Sequence, residues 1–205
     1  MDMATTPAAF IVFVSTIALS LYGMRNRSSN FYSKWILSPP DVYYEKKYIQ
    51  LITSGLLHTD LPHLLFNMFT FLFFAFQLEA MAGTFNFIII YFGSMILSDI
   101  STVIKHKDNY SYHSVGASGA ISGVLFSFIL FDPVSKIRIM LIPVGIPSPI
   151  FALMYLAYCY YAARHSQDMI NHDAHFWGAA AGIVITSLLE PAALSNFIQY
   201  LAHLF

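Results

Sequence analysis

Long apolar blocks, separated by more polar breaks, dominate this chain. Crossing the hydrocarbon core of a bilayer takes about 20 residues at a rise of about 1.5 Å each. Six blocks reach or approach that length, at about Pro7 to Met24, Pro62 to Ala82, Thr84 to Lys105, Gly116 to Phe131, Ser148 to Ala163 and Ala174 to Leu189. Gly83 parts the second from the third, Asp132 and Pro133 stop the fourth, and Glu190 and Pro191 end the sixth. The pattern predicts an all-α, polytopic membrane protein. It forms one domain over 1–205, a six-transmembrane-helix bundle without internal repeats.

The fourth block is informative because it is short. Its sixteen residues would reach about 24 Å against a core of about 30 Å. One end is therefore expected to begin inside the membrane, where non-helical backbone survives only if protein covers it or water reaches it. A helix opening with Gly116-Ala117-Ser118-Gly119 thus predicts a buried, hydrated cavity at its N-terminus. Between the first two blocks, 25–61 is too long for a simple connector. Phe31, Tyr32, Trp35, Tyr43, Tyr44 and Tyr48, interleaved with Lys34, Lys46 and Lys47, suit a segment lying in the headgroup layer.

Composition supports a lipid solvent. Hydrophobic residues make up 57% of the chain and charged residues 10%, against about 25% charged in a soluble domain. Ten Lys and Arg against eleven Asp and Glu, with no long basic run, argue against a nucleic-acid partner. A single cysteine, Cys159, excludes an internal disulfide and reads as a buried thiol without a catalytic role. Before Pro7 stands Asp2 and no basic residue, while Arg25 and Arg27 follow the first apolar block. That order is wrong for a secretory signal, so the block is kept as a transmembrane helix.

Three polar clusters interrupt this apolar background. In the first, His63 and Asn67 are four residues apart and share a helix face. They either cap a helix or offer two N–H donors pointing one way, and inside a bilayer polar side chains default to function. In the second, Ser118 lies between glycines in Gly116-Ala117-Ser118-Gly119-Ala120. The segment reads as small-residue packing, or as a nucleophile on a helix N-terminus whose free N–H groups and partial charge suit an oxyanion. Ala120 excludes the Gly-x-Ser-x-Gly elbow of soluble hydrolases. The third cluster holds His172, Asp173 and His175, with Gly178 and Gly182 on the face of His175.

Serine is a weak nucleophile until a base takes its proton, and imidazole has the right basicity. The glycines beside Ser118, and Gly178 and Gly182 on the face of His175, would let their helices approach closely. Asp173, two residues from His175, would point elsewhere on a helix, so the expectation is a dyad of Ser118 and His175, not a triad. His172 reads as structural.

Together these clusters resemble the rhomboid family over about Gln50 to Leu189. His63 and Asn67 match its His-x-x-x-Asn motif, with His58 as the additional upstream histidine. Glu79 and Gly83 match its Glu-x-x-x-Gly, and Gly116, Ser118 and Gly119 its Gly-x-Ser-Gly. Ala174, His175, Gly178 and Gly182 match its closing Ala-His-x-x-Gly-x-x-x-Gly. The resemblance implies an intramembrane serine endopeptidase, without cofactor or metal, that cuts transmembrane protein substrates in or near their membrane helices. It implies that His63, Asn67 and the Ser118 N–H hold the oxyanion, and that Glu79 is structural. It also implies that the fifth helix and the loop over the site open for substrates with a small residue before the cut.

Two features depart from the family pattern or its analogy. Trp35 is followed by Ile36, where many relatives carry Trp-Arg in the first loop. The resemblance implies a bacterial inner-membrane protein with a cytoplasmic N-terminus and a site opening outward. That puts Arg25, Arg27, Lys34, Lys46, Lys47, Lys105, Lys107 and Arg164 outside and Lys136 and Arg138 inside, the reverse of the positive-inside rule. The alternative function is a non-cleaving protein of the same fold that binds membrane clients. Inactive relatives usually lack the serine or histidine, and both stand here. A zinc protease would carry His-Glu-x-x-His, which is absent. An aspartyl protease would need two membrane-embedded aspartates, and Asp99 alone lies clearly within a predicted span, read as a solvated or paired group.

Overall fold

A computed structural model describes residues 5–138, 144–166, 168 and 170–203. Helix α1 covers Pro7–Arg25, followed by three short helices, α2 (Asn30–Trp35), α3 (Pro39–Glu45) and α4 (Gln50–Thr53). The long helices α5 (Leu61–Ala82) and α6 (Thr84–His106) come next, then α7 (Ser118–Phe131). A two-stranded antiparallel ribbon, β1 (Lys136–Ile137) and β2 (Ile146–Pro147), leads into α8 (Ser148–His165), α9 (His172–Leu189) and α10 (Pro191–Ala202).

Among the described residues, length and apolarity mark α1, α5 and α6 as membrane spans, and large apolar side chains such as Phe66, Phe85 and Ile104 stand exposed on them. Helix α9 qualifies when joined to α10, from which it is bent by 111° at Glu190 and Pro191. Pro191, lacking an N–H, opens a new helix more readily than it continues one. The sequence reading ends at Leu189 and does not anticipate α10. In α8 the apolar run is diluted by tyrosines, Arg164 and His165.

Helix α7 is the axis of the molecule. Its fourteen residues rise only about 21 Å, and every residue from Gly119 to Leu130 is buried. A helix apolar all round needs such a position. It packs on α5, α6 and α9. Small residues set how closely: a Cβ on Gly119 would overlap Ser98 of α6, one on Gly123 would overlap Ser94, and one on Gly178 or Gly182 of α9 would overlap the carbonyl oxygens of Gly119 or Gly123. One turn farther on, the Thr186 hydroxyl donates to Ser127 Oγ at 2.7 Å. Helix α8 lies at the edge, with Ser148, Pro149, Cys159 and Ala162 its buried residues.

Acidic side chains tie the bundle together at two points. Glu79, 1% exposed, accepts the backbone N–H of Ala8 at 3.1 Å and of Ala9 at 2.6 Å, and the Thr84 hydroxyl at 2.7 Å. Its carboxylate thus meets the unpaired N–H groups that open α1, where negative charge is favoured. Asp99 of α6 is half-buried and accepts the Ser54 hydroxyl at 3.0 Å.

Candidate active site

Ser118 is the first residue of α7 and half-buried, with Ala117 as the N-cap. The turn before it is held by the segment after α1. Leu37 and Ser114 exchange two backbone hydrogen bonds of 3.0 Å, and Gly116 donates its N–H to the Ser54 carbonyl at 3.1 Å. Gly116 has φ +128°, a conformation that favours glycine. Its missing side chain also makes room for His63: a Cβ there would lie 2.7 Å from His63 Cε1 and 2.9 Å from Nε2. One edge of the His63 ring therefore faces the entry to α7.

His63 sits in the first turn of α5, capped by Asp60, whose Oδ1 accepts the His63 N–H at 2.8 Å. That bond, with the Thr59 hydroxyl 2.9 Å from Oδ2, holds the Asp60 carboxyl below its usual range. Thr59 Oγ1 is also 3.1 Å from His63 Nδ1, so it helps fix the orientation of the ring. Asn67, buried one turn on, donates one amide hydrogen to the His63 carbonyl at 3.2 Å. An amide carries two such hydrogens, and the second is left for another acceptor.

His58 is fully buried behind His63, their ring centroids 4.8 Å apart. The Ser20 hydroxyl donates to the Leu56 carbonyl at 3.0 Å and therefore accepts from His58 Nδ1 at 2.9 Å. His58 thus anchors α1 against the chain that enters α5.

His175 lies in the first turn of α9, half-buried, one residue after Ala174. The Ala174 carbonyl oxygen would be 3.4 Å from a Cβ on Gly119, and Gly178 packs on Gly119 itself. The close contact of α7 with α9 therefore takes in Gly119 on one helix and Ala174 and Gly178 on the other, and continues to Gly123 and Gly182 one turn on. Asn171 caps α9, accepting the Ala174 N–H at 3.0 Å and donating to Thr102 of α6 at 2.8 Å.

The nearby carboxylates are engaged elsewhere: Asp173 pairs with Lys105 of α6, and Asp168 with His172 Nε2 at 3.1 Å. Among the described residues no carboxylate bonds the His175 ring. Below Ser118, the Ser122 hydroxyl reaches both the Ser118 carbonyl at 2.9 Å and the Tyr155 hydroxyl of α8 at 2.7 Å. Sequence reasoning gave Tyr155 no place near the site, because nothing in spacing links a residue of α8 to α7.

Comparison with known proteins bears on the same residues. Residues 45–192 match the rhomboid domain family. YdcA of Bacillus subtilis (strain 168), named as a candidate rhomboid protease, is 34% identical over 139 residues, 68% of this chain and 66% of its own length. The mitochondrial Rhomboid protein 1 of Saccharomyces cerevisiae is 26% identical over 185 residues, 88% of this chain and 53% of its own. The chain thus matches slightly less than two thirds of one relative and about half of the other. The matched span runs from before His58 to beyond Gly182 and takes in α5 to α9, so this integral membrane protein belongs to the rhomboid family.

Proposed function

We propose that this protein is an intramembrane serine endopeptidase that cleaves membrane-protein substrates in or near their transmembrane segments. The observation that carries the reading is the glycine-to-glycine crossing of α7 and α9 next to Ser118 and His175. Ser118 Oγ attacks the scissile carbonyl while His175 takes its proton and later delivers it to the leaving amine. The negative oxygen is met by the Ser118 N–H at the open end of α7, by His63 and by the second amide hydrogen of Asn67. Losing one such donor costs about 10²–10³ in rate. With Asp173 and Asp168 occupied by Lys105 and His172, the pair works as a dyad.

Six membrane crossings by α1, α5, α6, α7, α8 and α9 belong to the same proposal, with the site opening outward from a bacterial inner membrane. Helix α8, with few buried residues, is the element that yields to a substrate helix.

The test uses purified protein in detergent with a reporter transmembrane segment and a fluorophosphonate probe. The wild type should cut the reporter and take the label, and Ser118→Ala and His175→Ala should lose both. A wild type that captures the reporter without cutting it would instead establish client binding. Cleavage that survives Ser118→Ala would remove the proposed nucleophile.

A further inference from the structure

Beside the candidate site, three ligating side chains from two helices converge. The ligand atoms of Cys159 on α8 and of His172 and His175 on α9 all lie within 4.8 Å of one another. Cys159 is 1% exposed and His172 4%. His172 has the surroundings of a metal ligand. Its Nε2 lies 3.2 and 3.1 Å from the two Asp168 oxygens, the carboxylate contact that fixes tautomer and ring orientation in histidines bound to metals. Its Nδ1 is buried and has no hydrogen-bond partner, an unfavourable state for a buried polar atom unless a ligand offsets it. The nitrogen left free to ligate is thus the one the protein leaves unsatisfied.

We propose that Cys159, His172 and His175 form a binding site for zinc, and that occupancy switches the enzyme off by withdrawing His175 from Ser118. One thiolate and two imidazoles, with a fourth position for water, are a donor set suited to Zn²⁺. Bonds of about 2.0–2.3 Å put tetrahedral ligand atoms about 3.3–3.8 Å apart, so the cluster closes by about 1 Å on binding. The Cys159 thiol gives its proton to solvent as the sulfur–zinc bond forms, both imidazoles donate neutral lone pairs, and nothing is oxidised or reduced. Arg164, His165, Ser166 and Asp168, all exposed, bring water within a few residues of the cluster. The bound ion would also pin α8 to α9. Metal binding stands on the cluster alone, whereas the inhibition rests on His175 being the base.

Zinc affinity is measured in the full chain in detergent against a chromophoric chelator, with Co²⁺ as a spectroscopic substitute. The wild type and Ser118→Ala should each bind one equivalent and show a thiolate-to-cobalt charge-transfer band, so binding reads out even in a protein that cuts nothing. Cys159→Ser should lose the band and weaken zinc by more than about 100-fold, and Asp168→Asn, a surface change, should weaken it about 10–100-fold. In the reporter assay, saturating zinc should slow the wild type by about 10² or more, the worth of a general base. Cys159→Ser should keep its basal rate and resist. Equal zinc affinity in wild type and Cys159→Ser, or a cobalt complex without the band, overturns the site. Stoichiometric zinc with undiminished cleavage overturns the switch.

Discussion

Gly178 of α9 packs on Gly119 of α7 so tightly that a methyl group on Gly178 would overlap the Gly119 carbonyl oxygen. Backbone cannot swing aside as a side chain does, so the helices must part. Gly178→Ala should therefore destabilise the protein by about 1–3 kcal/mol through overpacking. It should also slow reporter cleavage by about 10²-fold, because displacements near 1 Å matter at a reacting centre. Gly182→Ala creates the same overlap against Gly123, one turn farther from Ser118. It should cost similar thermal stability and clearly less activity. Melting curves and cleavage rates on both variants check the contrast, and equal activity losses would contradict it.

Gly116 offers a sharper test of the entry to α7. At φ +128° an alanine is strained, by about 1–3 kcal/mol. Its Cβ would also lie 2.7 Å from His63 Cε1, pushing the ring away. Gly116→Ala should lower kcat by about 10²-fold, the worth of one oxyanion donor, with a much smaller change in KM. Ala117→Gly, at the neighbouring N-cap, keeps the ring in place and should leave KM unaltered and kcat within a few-fold of wild type.

How much of this was legible in the sequence differs from residue to residue. Gly83 and the pair Asp132–Pro133 mark helix ends because their local chemistry stops a helix whatever surrounds it. The spacing of Gly178 and Gly182 announced a close helix contact, since i, i+4 positions share a face, though not which partner it would meet. Long-range pairings were out of reach. Glu79 could be read as structural, but not as the cap of a helix some seventy positions earlier. The bridge from Leu37 to Ser114 and the approach of Cys159 to His172 and His175 arise from tertiary packing, which leaves no periodic trace. Helix α10 was missed because Pro191 reads equally well as a stop and as a first helical residue.

Glu79 carries a prediction about α1. Its two oxygens serve the Ala8 and Ala9 N–H groups, and removing them leaves those donors buried and unpaired. Glu79→Ala should destabilise the bundle by roughly 2–4 kcal/mol, with Glu79→Gln intermediate because it keeps one acceptor and loses the charge. Since Glu79 sits near the end of α5 opposite His63, kcat measured well below the melting temperature should stay near wild type. A large fall in kcat in folded Glu79→Gln would assign Glu79 to the chemistry instead.

The Asp60 cap predicts a dependence on pH. The His63 N–H and the Thr59 hydroxyl depress the Asp60 carboxyl in the folded protein. A depressed acid stabilises the fold fully above its unfolded value, about 3.9, and that contribution drains away as pH falls through the lower folded value. Wild-type stability should thus decline on the acid side, below about pH 4, in a way that Asp60→Asn does not share. Asparagine still caps a helix but has no charge to lose. Asp60→Ala removes the cap at every pH and should cost about 1 kcal/mol at neutrality. Because Asp60 holds the turn that presents His63, its loss should also lower kcat a few-fold with little change in KM. Melting temperatures of the three proteins between pH 3 and 7 check the sign, and parallel curves for wild type and Asp60→Asn would show that this carboxylate adds no pH-dependent stability.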